Sequence, residues 1–286
     1  MAHCGRTMAP SADQPAVLFV LGPSAVGKSY ITDATALQLF GSSHNAVILD
    51  GEIFRERHAG WCEVVLHGMK SSVLHQDAWT TFKDAKTTVE GSSKPVGIST
   101  ALKQRILAGA IRDRQNLIVP SCANQPERLA QEMKQLREAG YLMHAVCLWA
   151  PLSETRARGE PRSVREGKRW DGKSYDISIA TVLKVAREWV KGMEQAGEAS
   201  CYQSCALWDN TVFPAREVSL DEFANLSTMT HAEADEHAWR LKRPLLSPSW
   251  TKVSARAALA RSLSPPRLAT STRLPRTMMR LFALCT

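Results

Sequence analysis

No run in this chain approaches the ~18 consecutive apolar residues that a membrane-spanning helix requires, and Met1 to Gln14 hold no apolar segment of the secretory kind. There is no C-x-x-C pair. The seven cysteines (Cys4, Cys62, Cys122, Cys147, Cys201, Cys205 and Cys285) are scattered and odd in number, which argues against a disulfide framework and for reduced thiols in a cytoplasm-like compartment. Cys201 and Cys205 lack a second pair with zinc spacing, so a structural metal site is not expected. Also missing is N-K-x-D, by which a GTPase would read guanine. No apolar strand ends in Asp-Glu or Asp-Asp, the device of motor-type ATPases.

Acidic residues are absent from one region only. From His237 to Thr286 there are ten Lys or Arg and no Asp or Glu. The remaining 26 basic residues face all 28 acidic ones over residues 1–236, so the net +8 of the whole becomes −2 there. The basicity belongs to the tail, and a nucleic-acid partner is expected only through it. Residues 1–15 read as a loose leader, 16–225 as one domain, and 226–286, rich in Ser, Pro and Arg, as a disordered extension.

What is present is a phosphate-cradling loop. Gly22-Pro23-Ser24-Ala25-Val26-Gly27-Lys28-Ser29 fits G-x-x-x-x-G-K-[ST] at every fixed position. Ahead of it Val17–Leu21 reads as a buried strand. Behind it Ser29–Phe40 reads as a helix with Ile31, Ala34, Leu37 and Phe40 inward. Strand, loop and helix are what the chemistry needs, because inward backbone N–H groups and a helix N-terminus together hold an anion. Lys28 is expected on the β- and γ-phosphates of a nucleotide, with the Ser29 hydroxyl on Mg²⁺.

Further strands are expected at Asn45–Asp50, Leu117–Ser121, His144–Ala150 and Ala206–Asn210. Helices are expected around Asp77–Val89, Ser99–Arg112, Gln125–Ala139, from Pro151 to about Arg158, and over Tyr175–Gly197. Strands alternating with helices predict a three-layer α/β/α fold with a mostly parallel five-stranded sheet. Ligands of such sheets sit beyond the carboxyl ends of the strands, where Gly22, Asp50 and Ser121 all fall.

Asp50 and Glu52 follow the second strand, where a carboxylate can take the proton of an acceptor hydroxyl approaching a γ-phosphate. The same two residues also suit an ordinary helix start. Arg156, Arg158, Arg162, Arg165, Lys168 and Arg169 place six basic residues within fourteen positions, bracketed by Gly159-Glu160-Pro161 and Gly167. Each alone reads as a solvated surface residue. Together they read as a lid whose guanidiniums stabilise a transferring phosphoryl group.

At this point the chain resembles the zeta-toxin family of P-loop kinases. The likeness rests on the loop, on the arginine stretch, and on Leu49-Asp50-Gly51-Glu52-Ile53-Phe54-Arg55-Glu56-Arg57-His58, similar to the family's D-x-D-x-F-[RK]-x-x-H. The resemblance covers about residues 16–215. It implies transfer of the ATP γ-phosphate to a substrate hydroxyl; the bacterial toxins act on UDP-N-acetylglucosamine and are restrained by a small antitoxin. It implies phosphate binding by Lys28, a base at Glu52 (where the family usually has Asp), Asp50 as the first acid and as a Mg²⁺ ligand beside Ser29, and lid arginines among Arg158, Arg162 and Arg165. Phe54, Arg55, His58 and Ser121 fall on the acceptor side with Glu52. Unlike the bacterial toxins, the third strand ends Pro120-Ser121-Cys122 without a carboxylate.

The expected function is an ATP- and Mg²⁺-dependent phosphotransferase acting on a small-molecule hydroxyl, such as that of a nucleotide sugar. A nucleoside or polynucleotide kinase, and a nucleotide-binding regulatory module docking through its tail, are the alternatives.

Overall fold

The computed structural model describes residues 9–51, 86–87, 96–166, 170, 172–196 and 200–243. By internal contacts the chain divides into Met1–Leu241 and Lys242–Thr286. The first unit is an α/β fold around a six-stranded sheet.

Strand β1 (Ala16–Leu21) is its centre, because Val17 through Leu21 are wholly buried. Only a strand covered on both faces can be apolar at successive positions. Val17, Phe19 and Leu21 enter one core layer, whereas Leu18 and Val20 enter the opposite one. At about 1.5–3 kcal/mol per fully buried large side chain, this strand alone contributes on the order of 10 kcal/mol before chain entropy is subtracted.

The strands are β2 (Val47–Ile48), β5 (Leu117–Ser121), β6 (Leu142–Trp149), β7 (Tyr202–Asp209) and β8 (Arg216–Glu217), with β3 (Lys86–Thr87) and β4 (Val96–Gly97) forming a separate antiparallel pair. The sheet order is β2-β5-β1-β6-β7-β8, parallel except for the β7–β8 edge. That edge adds a sixth strand to the five expected. β5 lies between β1 and β2, so the acid-bearing strand end is not the immediate neighbour of the loop strand.

The helices are α1 (Lys28–Phe40), α2 (Ile98–Arg112), α3 (Pro126–Glu138), α4 (Leu152–Glu166), α5 (Tyr175–Ala196), α6 (Leu220–Thr228) and α7 (His231–Lys242). Residues of α2, α3, α5, α6 and α7 pack into the layer of Phe19, and those of α1 into the layer of Leu18. Phe19 meets the buried Trp189 of α5 edge-to-face at 6.0 Å.

Four expectations are corrected. Helix α1 buries Ile31, Thr32 and Ala36, while Leu37 is 61% exposed and Ala34 faces solvent. Its rotation is set by the loop that begins it rather than by its most apolar side. Lys86–Thr87 is strand, not helix; the rest of that expected helix lies outside the described residues. Helix α4 runs on through Gly159 and Pro161 to Glu166, where a break was expected. A Cβ on Gly159 would stand 2.1 Å from Trp170 Cδ1, so glycine there admits an indole instead of ending the helix.

The last correction concerns the chain beyond residue 226, expected to lack periodic structure. It continues α6 to Thr228 and forms all of α7. Each of these helices starts with a side-chain cap, and the second closes a reciprocal capping box. Ser219 Oγ accepts from Glu222 N (3.2 Å), and Thr230 Oγ1 from Glu233 N (3.3 Å). Glu233 Oε2 in turn accepts from Thr230 N at 2.8 Å. These contacts hold the Glu233 carboxyl below its ordinary range, the backbone hydrogen bond foremost.

Candidate active site

The loop Gly22–Ser29 connects the buried end of β1 to α1. Gly27 adopts φ 101°, and no side chain caps the helix that follows it. Tyr30 N donates back to Gly27 O (3.2 Å), and the N–H groups of Lys28 and Ser29 are left to an external acceptor, with no acid in the first turn to compete. Gly22 N donates to Ser121 O (3.2 Å), which ties the loop to the end of β5. Lys28 Nζ donates to Gly22 O (2.8 Å) and Pro23 O (2.9 Å) and lies 3.5 Å from Cys122 Sγ. The ammonium is folded over the mouth of the loop. Ser29 is exposed at the same helix start, which leaves its hydroxyl accessible to a cation.

Behind the loop stands Asn210, at the carboxyl end of β7. Its Nδ2 donates to Val26 O at 2.5 Å, and its N donates to Trp149 O at 2.8 Å. A Cβ on Gly27 would lie 2.2 Å from the same Nδ2. Gly27 is therefore required twice, for its left-handed backbone and for the room it leaves the amide.

Asn210 is itself held by a buried carboxylate. Asp209, 1% exposed, accepts from Thr211 N (3.0 Å), from the Thr211 hydroxyl and from Arg216 Nη2 (3.2 Å), and lies 3.0 Å from His237 Nε2 on α7. A buried charge persists only when so surrounded. Arg158 Nη2 donates to Asn210 O (2.8 Å) and Thr211 O (3.0 Å). Burial lowers the proton affinity of this guanidinium, while Glu154 and Asp209 act against that.

Of the lid arginines expected from sequence, Arg158 thus grips the loop's support. Arg162 is one turn further along α4 and partly exposed, and the Arg165 side chain lies outside the described residues. Asp50 lies two residues past β2, whose pairing Leu49 N extends by donating to Ile118 O at 2.9 Å. Ser121 ends β5, with its Oγ accepting from Ala123 N at 3.1 Å. Gly22, Asp50 and Ser121 therefore share the carboxyl rim of one sheet, as expected. Glu52, Phe54, Arg55 and His58 lie outside the described residues.

Two features of the rim were not anticipated. Tyr30 and Phe213, 59% and 70% exposed, meet edge-to-face at 5.2 Å, one following Ser29 and the other in the loop after Asn210. A Cβ added to Gly51, the residue after Asp50, would stand 3.6 Å from Cε of Lys103 on α2. Neither belongs to a local motif; tertiary packing brings them to the rim. Among the described residues no group of three or more His, Cys, Asp or Glu is arranged to hold a metal, and no helix is long and apolar enough to cross a membrane.

The Zeta toxin family model matches residues 2–94, which include β1, the phosphate loop and the Asp50 strand end. The PezAT chromosomal toxin-antitoxin system of Streptococcus pneumoniae contains a chain of the same fold, at a TM-score of 0.50 and 14% identity, covering 85% of this chain and 90% of that one. The AvrRxo1-ORF1:-ORF2 complex with ATP matches at 0.47 and 16% over 76% of this chain and 62% of that one, a likeness too slight to carry an argument. No curated protein matches. The likeness to the Zeta toxin family is thus confined to residues 2–94, and the match to the solved chain shows a shared α/β fold.

Proposed function

We propose that this protein transfers the γ-phosphate of ATP to a hydroxyl of a small acceptor. One observation carries the reading. The uncapped start of α1 and the Lys28 ammonium converge on the loop mouth, at the same rim as the Asp50 strand end. Backbone N–H groups of residues 24–29 hold the phosphates, and Lys28 leaves the Gly22 and Pro23 carbonyls to neutralise the transferring group. Tyr30 and Phe213 offer a surface for the nucleotide base. Ser29 suits Mg²⁺, which in such sites takes one or two protein oxygens besides the phosphates and supplies charge neutralisation when bound.

Glu52 orients the acceptor hydroxyl and removes its proton as the bond to phosphorus forms, with Asp50 beside it. Arg162 and Arg165, both on α4, are the remaining candidates to stabilise the transferring group, whereas Arg158 positions the Asn210 support. UDP-N-acetylglucosamine is the first acceptor to try, and a small antitoxin the first protein partner.

A γ-³²P transfer screen over nucleotide sugars, nucleosides and RNA ends tests this. Lys28→Ala is expected to reduce transfer on the order of a thousandfold. Glu52→Gln is expected to abolish it while ATP still binds. Turnover that survives Glu52→Gln and vanishes with Asp50→Asn reassigns the base. ATP binding with no product from any acceptor refutes a transferase.

A further inference from the structure

Helix α7 lies far along the chain from the loop motif, yet one of its side chains reaches the loop's support. His237, 20% exposed, brings Nε2 to 3.0 Å from Asp209 Oδ2 at the end of β7. An ionised carboxylate only accepts, so that nitrogen carries the proton and donates. The ring also packs edge-to-face on Trp149, with centroids 5.8 Å apart. Trp149 is the residue whose carbonyl takes the Asn210 N–H. His237 therefore touches the two residues that fix Asn210: Asp209, which precedes it, and Trp149, which hydrogen-bonds it. The imidazole borders a cavity of about 440 Å³ between α6 and α7. Its bond to Asp209, rather than close packing on all sides, holds it in place.

The two oxygens of Asp209 divide their work. Oδ1 accepts from Thr211 N (3.0 Å) and from the Thr211 hydroxyl, which closes a turn around Asn210. Oδ2 takes Arg216 Nη2 (3.2 Å) and His237. Arg216 is 44% exposed and shared with Glu222 at 2.7 Å, so it is the looser of the two. Without the imidazole N–H, a buried carboxylate loses its more buried donor and turns toward those that remain. The turn that aims Asn210 Nδ2 at Val26 O then opens. That aim matters because the C=O and the next N–H of a trans peptide point opposite ways. Holding the Val26 carbonyl from behind the loop directs the Gly27 N–H toward its mouth.

We propose that His237 is a positioning residue for the nucleotide site: its hydrogen bond to Asp209 sets the aim of Asn210 and thereby the phosphate affinity of the loop. Helix α7 is on this account part of the donor site and not an appendage. The inference rests on the ATP-site reading above and deepens it; it is independent of the acceptor.

The test titrates ATP by calorimetry into full-length wild type, His237→Leu, His237→Gln and Ala238→Gly, with thermal unfolding and γ-³²P transfer followed on the same samples. His237→Leu keeps an apolar body beside Trp149 and removes the donor. It is expected to raise Kd for ATP about 3- to 10-fold, with acceptor KM unchanged. His237→Gln, whose amide supplies a donor at similar reach, is expected to recover most of the affinity. Ala238→Gly loosens the same helix at a buried position without removing the donor. It is expected to lower Tm and leave Kd for ATP as in wild type.

A His237→Leu protein that melts lower but binds ATP like wild type overturns the inference. So does a loss of affinity that His237→Gln fails to recover, or that Ala238→Gly reproduces at an equal fall in Tm. Should His237→Leu not fold, His237→Asn replaces it: the shorter amide is expected to bind ATP more weakly than His237→Gln, and equal Kd values overturn the inference. Wild type that does not bind ATP overturns both the inference and the site it rests on. ATP bound but passed to no acceptor overturns the transferase alone, since the Kd comparison still decides the role of His237.

Discussion

The two sides of the rim are built on opposite terms. On the nucleotide side, the side chains that shape the loop and its support are paired within the protein, while the start of α1 stays open to an anion: Lys28 on two carbonyls, Asn210 on Val26, Asp209 on three residues. On the acceptor side Lys103, partly withdrawn from solvent, forms no hydrogen bond or ion pair among the described residues and feels the charges of Asp50, Glu132, Cys122 and Arg128. The first arrangement is preorganised and specifies one anion geometry. The second is less committed within the described part of the fold. A kinase-type fold can thus keep its donor site fixed and vary its acceptor by changing a few side chains on α2 and at the tips of β2 and β5.

The comparison breaks most readily at Gly27. Gly27→Ala places a methyl group 2.2 Å from Asn210 Nδ2 at a left-handed backbone position. It is expected to cost about 2 kcal/mol or more of stability and most nucleotide affinity, read by chemical denaturation and ATP titration.

Next in size is Asn210→Ala, which leaves the Val26 carbonyl buried without its donor. ATP KM is expected to rise about tenfold with acceptor KM unchanged, since one unsatisfied buried acceptor costs roughly 1–3 kcal/mol. A matched rise in acceptor KM would show that the two sides are not separable.

The smallest expected effect is one of pH. Burial lowers the Lys103 proton affinity below that of an ordinary lysine (10.5), with Asp50, Glu132 and Cys122 opposing and Arg128 assisting. A lysine shifted in this direction is charged in both folded and unfolded chains at low pH. As pH climbs toward 10.5 it loses its proton first in the folded chain, so its cost to folding lessens. Stability is therefore expected to rise with pH in that alkaline window in the wild type more than in Lys103→Met, read by Tm against pH. An identical profile in the two would mean that Lys103 is not desolvated in the folded chain.

Much of this was legible in the residues. The loop motif, the apolar continuity of Val17–Leu21, the Gly140 stop after α3 and the long stripe of α5 each follow from local chemistry. The helices beyond residue 219 carried an equally local signal, Ser219-x-x-Glu222 and Thr230-x-x-Glu233, which the Ser-, Pro- and Arg-rich composition of the following tail obscured. Gly159 misled for the opposite reason. Its value lies in what packs on it, Trp170, and no local pattern announces a contact eleven residues away.

By itself the sequence determined that a strand, a glycine loop and a helix form a phosphate cradle, because that unit is closed by backbone geometry within some twenty residues. Only the tertiary structure decided which groups surround it. Inserting β5 between β1 and β2 set the acid one strand away from the loop, brought Cys122 to Lys28, and placed Lys103 beside the acid-bearing tip. Adjacency across a sheet depends on strand order, and strand order follows from how whole layers cover one another rather than from any neighbouring residue.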